Sequence, residues 1–252
     1  MLSLYSFDND DDDDMYGGKV AVKYLNKLLK ESYKSKNKTD TNIDNKYYLD
    51  NDLSTDKTKV YINKDTNEIS MVNRGTSDIK DVMTDVKMFF GYNDERFDEP
   101  RLILDKIKSK YPTSTIDILG HSLGAKVAEE IGRDPVVKNI ITLNKPTTPK
   151  DLLYKSKITD KQYDIRTSKD LVSVLAPLQI DPNDLVIPSE TNNLYTEHKI
   201  DTLDRLPQDL IIGSGKKRLK KADIKTVILR HLRKNKDISK EDRQLLKNYL
   251  KD

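Results

Sequence analysis

The stretch "STIDILGHSLGAKVAEEIG", residues 114–132, leaves few architectures open to this chain. Ile116 to Leu119 is a short run of apolar, strand-forming character that stops at Gly120. From Leu123 to Ile131 the apolar residues recur at helical spacing and the run closes on Gly132. A buried strand that becomes a helix within five residues belongs in a parallel sheet with helices on its faces. The five residues are G-H-S-L-G. Glycines two before and two after Ser122 allow strand and helix backbones to pass closely, so the serine between them is predicted to sit in strained backbone at the carboxyl edge of the sheet.

The same alternation runs through the rest of the chain. "KVYIN" and "EISMVN" read as a strand pair joined by "KDTN", "EPRLILDKIKSKYP" as a helix closed by Pro112, and "VKNIITLN", "QYDIRT" and "DLVIPS" as further strands. "GGKVAVKYLNKLLKESY" predicts an amphipathic helix with Val20, Val22, Leu25, Leu28 and Leu29 on its apolar face. Residues 34–56 read as a loop around one short strand at "KYYL". "IKDVMTDVKMFF" reads as helical, "KIDTLDRLPQDLI" as the last helix of the body, and "GSGKK" as a linker. The expected fold class is α/β, a mostly parallel sheet flanked by helices.

A length of 252 residues suits one such domain, placed here at 1–213, with a small basic helical C-terminal extension at 214–252. The extension holds 14 Lys/Arg against 5 Asp/Glu, leaving 31 against 37 for the body, so the net charge of +3 hides an acidic body and a basic tail. Such a tail fits an anionic membrane surface or an acidic partner; nucleic acid is less favoured, because no aromatic residues are interleaved to stack bases. Cysteine is absent, which excludes disulfides, thiolate catalysis and cysteine-ligated metals. No apolar run is long enough to span a bilayer, and "MLSLYSFDNDDDDD" lacks the pattern of a secretory signal, so an intracellular protein, peripheral to membranes at most, is expected. The run Asp10 to Asp14 reads as a solvated turn, since no register supplies the Gly and Glu of a calcium loop. "GSGKK" lacks the first glycine and preceding strand of a phosphate loop.

A serine hydroxyl attacks only when a base takes its proton, and the chain has three histidines. His121 adjoins Ser122 with its side chain on the other face of the turn, which suits packing. His231 lies among Lys and Arg in the tail. His198, in "NNLYTEHKIDTL", follows the last predicted strand, and the order serine, acid, histidine of the α/β-hydrolases makes it the candidate base. The acid that orients it belongs after a strand between the two: Asp170 is favoured, with Asp181 and Asp184 as competitors. Charge developing on a substrate carbonyl needs two backbone donors. Leu123 supplies one; the turn "RGT", where Gly75 permits a sharp bend after a strand, offers the other at Thr76.

Together "VNRGTSDIKDVMTD", "ERF", "ILGHSLGAKVA", "SKDLVSVLAP" and "EHKIDTL" resemble the class 3 lipases, the fungal triacylglycerol lipase-like family of α/β-hydrolases, over roughly residues 15 to 210. The resemblance implies an α/β-hydrolase fold, Ser122 as nucleophile, Asp170 and His198 as its partners, Thr76 and Leu123 as oxyanion donors, and no metal or organic cofactor. The chain departs from the family pattern at Asn73, in place of an aromatic residue, at Val82, in place of a frequent Trp, and at Ala125, in place of a second Gly. The region corresponding to the family's lid is charged and offers only Met88, Phe89 and Phe90 as an apolar patch. The expected function is a serine ester hydrolase acting on an acyl ester, a lipid above all. The alternative is a non-catalytic α/β-hydrolase scaffold that binds an anionic partner or membrane through its basic tail.

Overall fold

A computed structural model describes residues 19–76, 95–146, 161–170 and 185–213. The readings made above for the Asp10 to Asp14 run, Val82, the patch Met88, Phe89 and Phe90, the alternative acids Asp181 and Asp184, and the extension with His231 lie outside these residues.

An eight-stranded sheet forms the centre. In chain order its strands are β2 (Asn42–Ile43), β3 (Tyr47–Leu49), β4 (Thr58–Asn63), β5 (Glu68–Asn73), β6 (Ile116–His121), β7 (Val137–Leu143), β8 (Gln162–Thr167) and β9 (Leu185–Ile187), and they lie side by side in that order. From β2 to β5 the neighbours are antiparallel; from β5 to β9 they are parallel. A separate antiparallel pair joins β1 (Lys19–Ala21) to β10 (Ile211–Gly213).

Successive side chains on a strand point to opposite faces, and here each face has its own helices. Ile69 and Met71 on β5, Ile116 and Ile118 on β6, and Ile140 on β7 pack under α2 (Glu95–Lys110) and α3 (Leu123–Ile131), meeting Ile103, Leu104, Ile107, Val127 and Ile131. Val72, Leu119, Ile141 and Leu143 point the other way, onto Leu25, Leu28 and Leu29 of α1 (Val22–Ser32). Strands buried on both faces read as continuous apolar runs, which is why "IDIL" and "NIITL" stand out in a sequence that is 35% charged.

Four sequence-based expectations need correction. Val20 belongs to β1, paired with Ile212, and α1 begins only at Val22; β-branched residues at 20, 211 and 212 favour the extended pairing. The "KIDTLDRLPQDLI" helix is a single 3-10 stretch, Ile200–Arg205: Thr202 Oγ1 bonds the Lys199 carbonyl, and Pro207 stops the turn from lengthening. Residues 34–56 carry two strands, β2 and β3, and a 3-10 turn at Lys36–Lys38. Helix α2 starts at Glu95, before Pro100, whose missing N–H costs one bond to the exposed first turn.

Candidate active site

Ser122 stands at the turn from β6 into α3, and its backbone is the most strained in the site, with φ 55° and ψ −129°. An L-residue holds that conformation only when its surroundings impose it. The Ser122 N–H donates to the Leu143 carbonyl at 2.9 Å, and the Ser122 carbonyl accepts from Ala125 at 2.9 Å, closing the first turn of α3. A Cβ on Gly120 would lie 2.3 Å from the Gly124 carbonyl oxygen, and one on Gly124 would lie 2.2 Å from the Asn73 oxygen. Both contacts are with backbone that cannot yield, so glycine is obligatory at each position.

The histidine arrives on a different kind of support. After β9 the chain forms the one-turn helix α4 (Leu194–Glu197), capped by Asn193, whose side chain accepts the N–H groups of Tyr195 and Thr196. The Glu197 carbonyl accepts from Asn144 Nδ2 at 3.1 Å and Thr167 Oγ1 at 2.6 Å, fastening α4 across the ends of β7 and β8. The fully buried Glu197 carboxylate accepts the N–H groups of Glu190 and Thr191 and takes Arg205 Nη1 at 2.5 Å. Burial alone would raise the Glu197 pKa, but these donors outweigh it and hold it below the ordinary glutamate value. Asp170 sits in the turn after β8. Ser168 and Ser189 interlock there: each accepts a bond from the other's segment, at 3.0 Å, and Ser189 Oγ also takes the Lys169 N–H at 2.8 Å.

These supports bring three of the expected residues together. His198 Nε2 lies 2.8 Å from Ser122 Oγ, and His198 Nδ1 is hydrogen-bonded to Asp170 Oδ1. All three side chains are buried. An ionised carboxylate can only accept, so Nδ1 carries the proton and Nε2 is free to accept from the serine hydroxyl. The other two expected residues, Thr76 and Leu123, line the wall of one cavity beside this cluster.

His121 does more than fill space. Its Nε2 faces the His198 carbonyl oxygen at 2.8 Å, which accepts only, so that nitrogen carries the hydrogen. Nδ1 therefore accepts, and Tyr33 Oη donates to it at 2.6 Å, while Tyr33 Oη accepts the Gly75 N–H at 3.1 Å. Burial, reinforced by the neighbouring His198, pushes the His121 pKa down to about 3, so the ring is neutral. One chain of bonds thus runs from the "RGT" turn through Tyr33 and His121 to the backbone of His198. Gly75 itself abuts the sharp turn from β6 into α3 at Ser122, the elbow: a Cβ there would meet the His121 oxygen and the Ser122 Cβ, each at 2.8 Å. Tyr33, Asn144, Thr167, Glu197 and Arg205 were not singled out by the sequence. Asn144 alone carried a local signal, an Asn at a strand end, where it adopts a φ of 50°.

Sheet order, the strained serine after a central parallel strand and the histidine loop after the last strand define an α/β-hydrolase fold. Solved structures similar to this chain include the Rhizomucor miehei lipase propeptide complex, 17% identical, covering 69% of this chain and 73% of that one with a TM-score of 0.46. Lip2 lipase from Yarrowia lipolytica is 14% identical, covering 81% and 89%, with a TM-score of 0.47. Lipase II from Rhizopus niveus is 17% identical, covering 70% and 86%, with a TM-score of 0.44. No protein-family model matches the chain, and no curated protein matches it in sequence. Among the described residues no helix is long and apolar enough to cross a membrane.

Proposed function

We propose that this chain is a serine ester hydrolase that cleaves an acyl ester, with a lipid as the preferred substrate. The observation that carries the reading is the His198 Nε2 to Ser122 Oγ contact of 2.8 Å at a backbone of positive φ, with Nδ1 of the same ring on Asp170. In this reading His198 takes the Ser122 proton as Oγ attacks the ester carbonyl. The N–H groups of Thr76 and Leu123 stabilise the oxyanion, and the N-terminus of α3 adds its partial positive charge. Collapse of the tetrahedral intermediate breaks the ester C–O bond, and His198 gives the proton to the departing alcohol. Water, activated by the same imidazole, then releases the acid from the acyl-enzyme. Asp170 keeps the ring in the tautomer that accepts from Ser122 and stabilises it when charged. No step calls for a metal or an organic cofactor. The basic extension, residues 214–252, is proposed as a contact for an anionic surface.

The test is the release of p-nitrophenol from short- and medium-chain p-nitrophenyl esters by the wild type and by Ser122→Ala. A burst equal to the enzyme concentration, absent from the variant and matched by fluorophosphonate labelling at Ser122, is expected. Turnover that survives in Ser122→Ala, or a wild type that neither turns over nor labels, would overturn the reading.

A further inference from the structure

The cavity beside the "RGT" turn is about 300 Å³ in volume, and the described residues that line it hold three cations and one acid. Thr76 and Leu123 form part of its wall, so it adjoins the point where the substrate carbonyl would rest. Lys57 and Arg74, held together by the bond from Arg74 N–H to the Lys57 carbonyl at 3.0 Å, enter from the ends of β4 and β5. Arg96 enters from the first turn of α2, together with Glu99, the single acid among the described lining residues.

Some lysines on this surface pair with carboxylates, Lys27 with Asp44, Lys30 with Asp201 and Lys110 with Asp50 among them, while others, such as Lys38, Lys106 and Lys138, stand apart from one another without a carboxylate among the described residues. The three cavity cations also lack such a partner among the described residues, and they differ in being gathered at one concavity. Behind them the buried Lys59 donates to the carbonyl oxygens of Thr55 and Asp56, at 2.5 and 3.3 Å, rather than to a carboxylate. Burial lowers its pKa; Asp56 pulls the other way, and the nearby charge of Arg74 lowers it again. Like charges gathered at one concavity repel, and an anion placed among them relieves that repulsion. Arginine forks match phosphate oxygens in geometry as well as charge. The volume is at the small end for a ligand site, right for a polar headgroup rather than for acyl chains.

We infer that this cavity binds the anionic phosphodiester of a glycerophospholipid, placing one of its acyl esters at Ser122. The orientation rests on the acyl-transfer reading above. A few bonds of glycerol separate the phosphate from the ester carbonyl, which fits a cavity that shares Thr76 and Leu123 with the proposed oxyanion site. The bond broken is the acyl C–O; the alcohol leaves with a proton, the water hydroxyl ends on the acyl carbon, and the phosphodiester is untouched.

Binding can be read without turnover. Full-length Ser122→Ala is titrated calorimetrically with dihexanoyl phosphatidylglycerol as monomers, and with dihexanoylglycerol, which has the same esters and no phosphate. The phosphodiester lipid is expected to bind at least about tenfold tighter, and the advantage to shrink as salt rises from about 50 to about 500 mM. Adding Lys57→Gln and Arg96→Gln should bring the two lipids to similar affinity, whereas Glu99→Gln should widen the gap. Thermal melts of each variant separate loss of binding from loss of fold. Equal affinities in the parent would overturn the inference. So would an advantage that survives removal of both cations, which would put it on another surface such as residues 214–252. Inorganic phosphate or glycerol 3-phosphate binding as tightly as the lipid would make this a free-phosphate site instead. Wild-type hydrolysis of p-nitrophenyl butyrate is measured beside these titrations. Its absence would remove the hydrolase reading, while the titrations would still decide the cavity.

Discussion

Ser122 and His198 meet within 2.8 Å, yet the chain holds them in place by opposite means. The serine is positioned by the absence of side chains: Gly120, Gly124 and Gly75 let three backbone segments approach more closely than any Cβ would allow. The histidine is positioned by an excess of polar side chains, with Asn144, Thr167, Glu197, Arg205, Ser168 and Ser189 lacing the loops after β7, β8 and β9 to one another. A sterically built turn resists small changes until the clash forces the backbone apart, and then fails altogether. A hydrogen-bonded loop loses its parts one at a time. The elbow should therefore respond to substitution as a switch and the histidine loop in graded steps.

The largest effect is expected at the elbow. Gly124→Ala puts a methyl group 2.2 Å from the Asn73 carbonyl oxygen and 2.6 Å from Arg74, where only backbone movement can make room. A loss of about 3 kcal/mol of stability is expected, the upper end for overpacking, together with loss of the p-nitrophenol burst. Urea unfolding and burst amplitude measure the two. If the variant kept both stability and burst, the elbow would not be sterically determined and the contrast with the histidine loop would fall.

Glu197→Gln tests the graded side. The amide keeps an acceptor for the Glu190 and Thr191 N–H groups but loses the charge that Arg205 meets, a change worth about 2 kcal/mol for bonds of this kind. Catalysis should fall in part and labelling at Ser122 should slow without vanishing. Because the Glu197 pKa is held below its unfolded value, the stability it contributes is present above the ordinary glutamate range and lost as the pH falls through the folded value. Unfolding curves at successive pH values should thus decline less steeply in acid for the variant than for the wild type. Parallel declines would remove Glu197 from the acid response.

That contrast also explains what was legible in the sequence. G-H-S-L-G is local: strand, glycines, serine and helix sit within seventeen residues, so the fold around Ser122 could be derived from spacing alone. His198 and Asp170 could be named because the proposed mechanism demands a base and an acid in a given order. Their supports could not. Thr167 Oγ1 meets the Glu197 carbonyl across 30 residues and Asn144 meets it across 53, and no periodicity records a bond between loops. Tyr33 is 88 residues from His121 and looked like the end of an amphipathic helix. The misplaced start of α1 has the same long-range origin, because β1 pairs with β10 across almost the whole domain and overrides the local helical pattern at residues 19–21.

Tyr33→Phe probes the bridge between the two regions. The ring stays and the hydroxyl goes, leaving the Gly75 N–H and His121 Nδ1 without the oxygen that joins them. A stability loss of about 1 kcal/mol is expected. The rate constant for acylation should drop several-fold, with KM changed far less, because the hydroxyl touches the "RGT" turn and His121 rather than substrate. An unchanged acylation rate would mean that the serine and histidine supports act independently.

The smallest effect expected is the lack of one, and it bears on the same bridge. His121 and His198 lie with ring centroids 5.0 Å apart, so a proton gained by His121 would register in the acid limb of the rate profile. With its pKa pushed down to about 3 by burial and by the neighbouring ring, His121 stays neutral through the ordinary histidine range. The acid limb of kcat/KM should consequently follow a single ionisation, with unit slope down to about pH 4. In Tyr33→Phe the donor to Nδ1 is gone, but the Nε2–H bond to the His198 carbonyl and the burial remain, so the single ionisation should persist. A slope approaching two in the wild type would mean that His121 gains a proton near neutrality. The ring would then present a donor on Nδ1 to Tyr33 Oη, reversing the bonds that join the "RGT" turn to the histidine loop.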